Sequence, residues 1–154
     1  MKELVNIVVA LSNLYGLILF IGETTLSMKL LSVAMIATST LMHLSETKHG
    51  LPGVKPYNKY STLFLWLDRI MAIICISVVT YFIYYNGLPS MMVIILATIG
   101  VIACFISEVI LTNQWGLFVV YHITWHIAAY TTMFCVTKCS SIDICPMECK
   151  MCWY

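Results

Sequence analysis

Charge is what this chain has least of. Eight Lys/Arg and seven Asp/Glu are spread over 154 residues, 10% of the chain, where a soluble domain carries about 25%. Hydrophobic residues make up 61%. A water-soluble globule of this size has to cover itself with polar side chains, and there are too few here to do so. A soluble enzyme, a disordered chain and a coiled coil are therefore excluded. A basic excess is missing too. With a net charge of +1, no cationic face exists to neutralise phosphates, which excludes nucleic acid as a partner. Internal repeats, low-complexity tracts and room for a second domain are also lacking. What remains is a small integral membrane protein.

Residues 4–22, 30–45, 70–107 and 109–137 contain no Asp, Glu, Lys or Arg. A bilayer core of about 30 Å is crossed by about 20 helical residues rising about 1.5 Å each. The first gap fits one crossing. The second fits one if it starts near Leu26, with Lys29 snorkelling to the interface. The third would be roughly 57 Å of continuous helix, too long for one span. It is broken at Asn86-Gly87-Leu88-Pro89, a strong turn signal. The expected fold is an all-α polytopic membrane bundle of about five transmembrane helices, near 4–22, 26–45, 62–85, 88–110 and 115–137. A Cys-rich tail, 138–154, follows. The one sizeable loop, Glu46–Tyr60, holds Gly50, Pro52, Gly53 and Pro56 and cannot be a continuous helix.

The first apolar run is longer than the core of a signal peptide and no A-x-A site follows it, so it reads as a retained span. Five crossings put the termini on opposite sides. Lys2, Lys48, Lys55 and Lys59 then face Lys29, Lys138 and Lys150 across the membrane. Four against three favours a cytosolic amino terminus by the positive-inside bias.

Ionisable groups inside a span cost on the order of 2.5–3.5 kcal/mol, so each needs a reason. His43 lies near the end of the second span. Asp68 and His122 each lie about two turns, roughly 10 Å, inside the start of theirs. The topology brings these three ends to one side of the membrane. His122 and His126 are i and i+4, so both rings project from one helical face, and Ser39 and His43 share that spacing. Two His from one helix and one from a facing helix make a three-ligand zinc site with an open position. Such a metal lowers the pKa of bound water to about 7. Asp68 would orient that water or take its proton, and Ser39 would donate to the developing oxyanion. A structural hydrogen-bonded His pair competes with this reading, as does a bis-His haem, which leaves Asp68 and Ser39 unexplained. Arg69 reads as a snorkelling or paired cation. His43-x2-Glu46-x2-His49 spaces three candidate ligands into the loop, but Gly50 and Pro52 end any helix there. Glu46 and His49 therefore read as interfacial, with contact behind the site's ligands as the alternative; Glu108 reads as interfacial.

The run Ser39-Thr-Leu-Met-His43, then Leu-Asp68-Arg-Ile-Met-Ala, then His122-Ile-Thr-Trp125-His126 resembles the membrane hydrolase superfamily called CREST. It groups alkaline ceramidases, progestin and adipoQ receptors, and lipid-remodelling enzymes of GPI anchors. The resemblance covers roughly residues 26–137. It implies that His43, His122 and His126 bind Zn2+, that Asp68 lies near the metal-bound water and that Ser39 sits beside it. It further implies hydrolysis of a lipid amide or ester bond, a membrane-lipid substrate, and favours an endomembrane location. The alternative within the same likeness is a non-catalytic, receptor-like or scaffolding protein that keeps the motif. One departure matters: the family has seven spans, and here one helix separates the Asp-bearing span from the last. That keeps the parity but removes much of the cavity wall. A homodimer, a small substrate, or metal binding without efficient turnover would each be consistent with this.

Seven cysteines divide into two groups. Cys75, Cys104 and Cys135 lie inside spans and read as small apolar fillers. Cys139, Cys145, Cys149 and Cys152 crowd the tail, where disulfides, zinc binding or acylation are all open.

Overall fold

Helices fill the charge-free stretches. In the computed structural model, which describes residues 2–22, 25–111 and 114–138, five helices account for most of the described residues. They are α1 (Lys2–Gly22), α2 (Leu26–Ser45), α3 (Tyr57–Asn86), α4 (Met91–Ile110) and α5 (Trp115–Lys138). No strand occurs among the described residues. The tail cysteines Cys139, Cys145, Cys149 and Cys152 lie outside them. The chain is thus an all-α bundle, and α1 to α4 are each long and apolar enough to cross a membrane. Helix α5 matches them in length, but His122, His126 and four threonines dilute its apolar surface.

Helix α3 opens with a 3₁₀ turn at Tyr57–Tyr60; two further departures from regular geometry, in α1 and α4, bear on the site. Helix α1 tightens into a 3₁₀ turn at Asn13–Gly16. There Gly16 packs so closely that a Cβ would meet Ile36 Cγ1 at 2.9 Å and the Tyr130 ring at 3.1 Å. Tyr130 donates its hydroxyl proton to Asn13 Oδ1 at 2.5 Å, tying α1 to α5. Helix α4 ends in a π turn, Ile106–Ile110, closed by Leu111 N donating to Ile106 O at 3.0 Å. Such widened turns are frequent at functional sites. This one carries Ser107 and Glu108.

Helix α5 is central. It packs along α4, where a Cβ on Gly100 would meet Ala128 Cβ at 2.8 Å, and it also touches α1 and α3. Helix α3 packs its backbone on α2 and α5, and among the described residues no Cα of α3 comes within 8 Å of a Cα of α4; side chains such as Arg69 and Glu108 bridge the two. The gap between α3 and α4 opens into a cavity of about 360 Å³. Ile76 on α3 and Val101 on α4 line it and are also exposed on the outer surface.

The loop 46–60 is folded back against the helix ends. Gly53, at φ +65°, has no room for a Cβ, which would meet Ser45 O at 2.9 Å. Val54 N donates to Leu44 O at 2.7 Å, and Leu51 is buried with Val5, Val9 and Phe118. The last carbonyls of α2 have no intrahelical donors. Asn6, 1% exposed, supplies them: its amide donates to His43 O at 2.8 Å and to Glu46 O at 2.9 Å. Asn6→Ala is expected to lower the unfolding free energy by about 1–3 kcal/mol, the cost of leaving buried polar groups unsatisfied. Unfolding in mild detergent measures this, and a change below about 0.5 kcal/mol would show that the carbonyls are satisfied some other way.

Candidate metal centre

His43, 1% exposed, arrives from the end of α2; His122 and His126, 3% and 4% exposed, arrive one turn apart on α5. Their ring centroids form a triangle with sides of 4.4, 5.1 and 4.8 Å. One ring nitrogen of each lies within 4.8 Å of the others. The three sequence-nominated histidines are therefore one buried group able to hold a metal ion. A bis-His haem does not fit it, because a macrocycle between two axial imidazoles needs a wider separation than 4.4 Å.

The hydrogen bonds around the triangle assign a tautomer to each ring. Ser12 donates its single hydroxyl proton to Val9 O at 2.7 Å, so toward His126 Nδ1, 2.6 Å away, it accepts. Ser107 likewise donates to Cys104 O at 2.9 Å and accepts from His122 Nδ1 at 3.2 Å. Glu46 Oε2 accepts from His43 Nδ1 at 3.1 Å. Every Nδ1 thus carries a proton that is spent outward, and every Nε2 is left with a lone pair. His43 Nε2 is buried and has no hydrogen-bond partner. Leaving such an atom unmatched costs about 1–3 kcal/mol. An unmatched nitrogen beside two further histidine ring nitrogens within 4.8 Å is what a cation relieves. The donor set therefore fits a metal that prefers neutral imidazole, and the outward Nδ1–H bonds fix ligand orientation as in known histidine–metal sites.

Asp68 and Ser39 line the same cavity as the three histidines. Ser39 presents its hydroxyl to the Asp68 carboxyl, with His43 and Arg69 close enough to act on that carboxyl electrostatically. Arg69 Nη2 donates to Glu108 Oε2 at 3.3 Å, so it is a paired cation. Away from these polar groups the cavity is apolar, walled by residues such as Met35, Val79 and Met133. Cys75 and Cys104 also lie on its wall.

Glu46 and His49 are buried within the bundle, 6% and 5% exposed, because the loop folds inward and Asn6 clamps its start. Glu46 touches the site through His43 Nδ1, and Glu108 Oε1 sits 3.5 Å from His122 Nδ1. The supporting serines, Ser12 and Ser107, were not singled out by sequence. A signal existed for the first: Asn6, Ser12 and Asn13 put polar groups on an otherwise apolar helix, at near-heptad spacing, where each needs a partner.

The chain matches no protein-family model, no curated protein and no solved structure with which it was compared.

Metal binding is expected to depend on the outward hydrogen bonds as well as on the ligands. To keep tail thiolates out of the measurement, Cys139, Cys145, Cys149 and Cys152 are replaced by serine in the full chain. In that background Ser12→Ala and Ser107→Ala should each weaken zinc binding about 10–100-fold, read by competition with a chelator. His122→Ala/His126→Ala should abolish it at this centre. Zinc affinity unchanged in the double variant would sink the assignment.

Proposed function

We propose that the protein is an intramembrane zinc-dependent hydrolase that cleaves an amide or ester bond of a membrane lipid. One observation carries this reading: three Nδ1-protonated imidazoles and a carboxyl group share the wall of one apolar cavity. Neutral imidazole suits zinc, and three protein ligands leave a position open. Zinc held there would lower the pKa of a water molecule and polarise a carbonyl oxygen. The likeness of Ser39, His43, Asp68, His122 and His126 to the CREST motifs supports the same reading.

The remaining roles fall to the chain's own side chains. Asp68 takes the proton of the water as its oxygen adds to the lipid carbonyl carbon. When the C–N or C–O bond breaks, Asp68 returns that proton to the leaving amine or alcohol. Ser39 donates a hydrogen bond to the oxygen that becomes negative. An acyl chain enters between α3 and α4 and lies along Met35, Ile76, Val79, Val101 and Met133. In this reading α5 is the fifth crossing, so loop 46–60 and the tail face opposite sides. A cysteine introduced at Asn58 and the native tail thiols should then react with an impermeant reagent from opposite faces of sealed vesicles.

Replacement of Asp68 by Asn tests the chemistry. Asn keeps the shape and a hydrogen bond but accepts no proton at neutral pH. Hydrolysis of labelled ceramides or phospholipids, per bound zinc, should fall 10²–10⁴-fold with zinc retained, the usual contribution of a general base. Ser39→Ala should cost no more than one oxyanion donor. Equal turnover in wild type and Asp68→Asn would remove Asp68 from the mechanism. No turnover of amide or ester lipids by the zinc-loaded wild type would favour the receptor-like or scaffolding alternative.

A further inference from the structure

We propose a second divalent-cation site, built from Glu46, His49 and Glu108, on the loop side of the three-histidine centre. One ligand atom from each of these residues lies within 4.8 Å of the others. The two sites share no ligand, so the second does not depend on the hydrolase reading.

His49 carries the inference. Its ring is 95% buried by its 5% exposure and stacks on Phe118 with centroids 4.2 Å apart. Nδ1 faces Leu111 O at 2.9 Å. A carbonyl only accepts, so Nδ1 is the protonated nitrogen and Nε2 is the one free to ligate. Nε2 is buried and has no hydrogen-bond partner. Glu46 Oε1 stands 3.6 Å from it, too far for a hydrogen bond. Two donors at that separation can both reach one ion at the 2.0–2.2 Å typical of zinc–nitrogen and zinc–oxygen bonds.

The carboxylates are arranged to the same end. Glu46 spends Oε2 on His43 and leaves Oε1 facing His49. Arg69 and Lys48 hold Glu108 Oε2 from the exposed side, at 3.3 and 4.0 Å, while Oε1 is buried without a hydrogen bond. The group thus holds a buried ring nitrogen and a buried carboxylate oxygen without hydrogen-bond partners, although Glu108 Oε1 also lies 3.5 Å from His122 Nδ1. His49 also has a backbone φ of +59°, a conformation that costs energy for any residue but glycine and concentrates at ligand clamps. The local chain supports it: Lys2 Nζ donates to Gly50 O at 3.0 Å, and Leu51 is buried in the core. Two carboxylate oxygens with one imidazole nitrogen match a divalent transition metal such as Zn2+ or Mn2+ and neutralise its charge. The competing arrangement is an imidazolium at His49 paired with Glu46, with no metal.

The full chain with the four tail cysteines changed to serine is stripped with a chelator, reloaded with saturating Zn2+, desalted and analysed for metal. Two zinc per chain are expected. His49→Gln and Glu108→Gln should each hold one, and His122→Ala/His126→Ala should also hold one. A single zinc in wild type, lost in the double histidine variant, would overturn the second site and leave the first standing. A single zinc kept by the double variant but lost in His49→Gln would do the reverse. Where one variant does not fold, the other of His49→Gln and Glu108→Gln decides: wild-type zinc retained in full by it refutes this site.

Discussion

Hydrocarbon offers no water, so a polar atom placed inside such a bundle gains most by finding its partner in the protein. Most of the architecture around the histidines follows from that constraint. The ring protons on Nδ1 go to Ser12, Ser107 and Glu46; the serine protons go to helix carbonyls of the preceding turn. The amide of Asn6 takes up the carbonyls that the end of α2 would otherwise strand. Each bond settles the direction of the next, and the chain of donors ends at the three histidine rings. The capacity to hold a metal is thus a remainder, a part of the polar inventory, His43 Nε2 included, that no protein atom satisfies.

Helix α1 has an outsized share in this. Its buried polar face reaches α2 through Asn6 and α5 through both Ser12 and Asn13. It contributes no ligand, yet it sets the azimuth of His126 and the end of the helix that carries His43. Interhelical hydrogen bonds in membranes average well under 1–2 kcal/mol each, so their value here lies in orientation more than in stability. The 3₁₀ turn at Asn13–Gly16 and the close approach at Gly16 keep α1 near enough for short side chains to span the gap.

Much of the fold was legible because charge is so sparse: Glu23, Lys29, Glu46, Arg69, Glu108 and Lys138 bracket the apolar runs, and the Asn86–Pro89 signal divides the longest. The histidine triangle was legible for a different reason. An i,i+4 pair fixes a face, and span parity fixes which helix end meets it. What the sequence did not disclose depends on tertiary closure. The inward fold of loop 46–60, which buries Glu46 and His49, rests on contacts of Leu51, Asn6 and Gly53 with distant residues. The π turn that presents Ser107 and Glu108 has no period of its own to read. The roles of serines as acceptors emerge only once their own protons are accounted for.

The separation of α3 from α4 has a consequence for how concentration acts on this protein. With the bundle in a bilayer, a cavity whose flank is formed by Ile76 and Val101, both exposed on the outer surface, would sample a two-dimensional solution. What fills it is governed by the mole fraction of a species in the leaflet, not by its molarity in the surrounding water. Diluting the membrane with inert lipid then starves the cavity even when the total amount of ligand is unchanged, while adding water does nothing. Composition of the bilayer becomes the control variable, and neighbouring lipids compete for the cavity simply by being abundant.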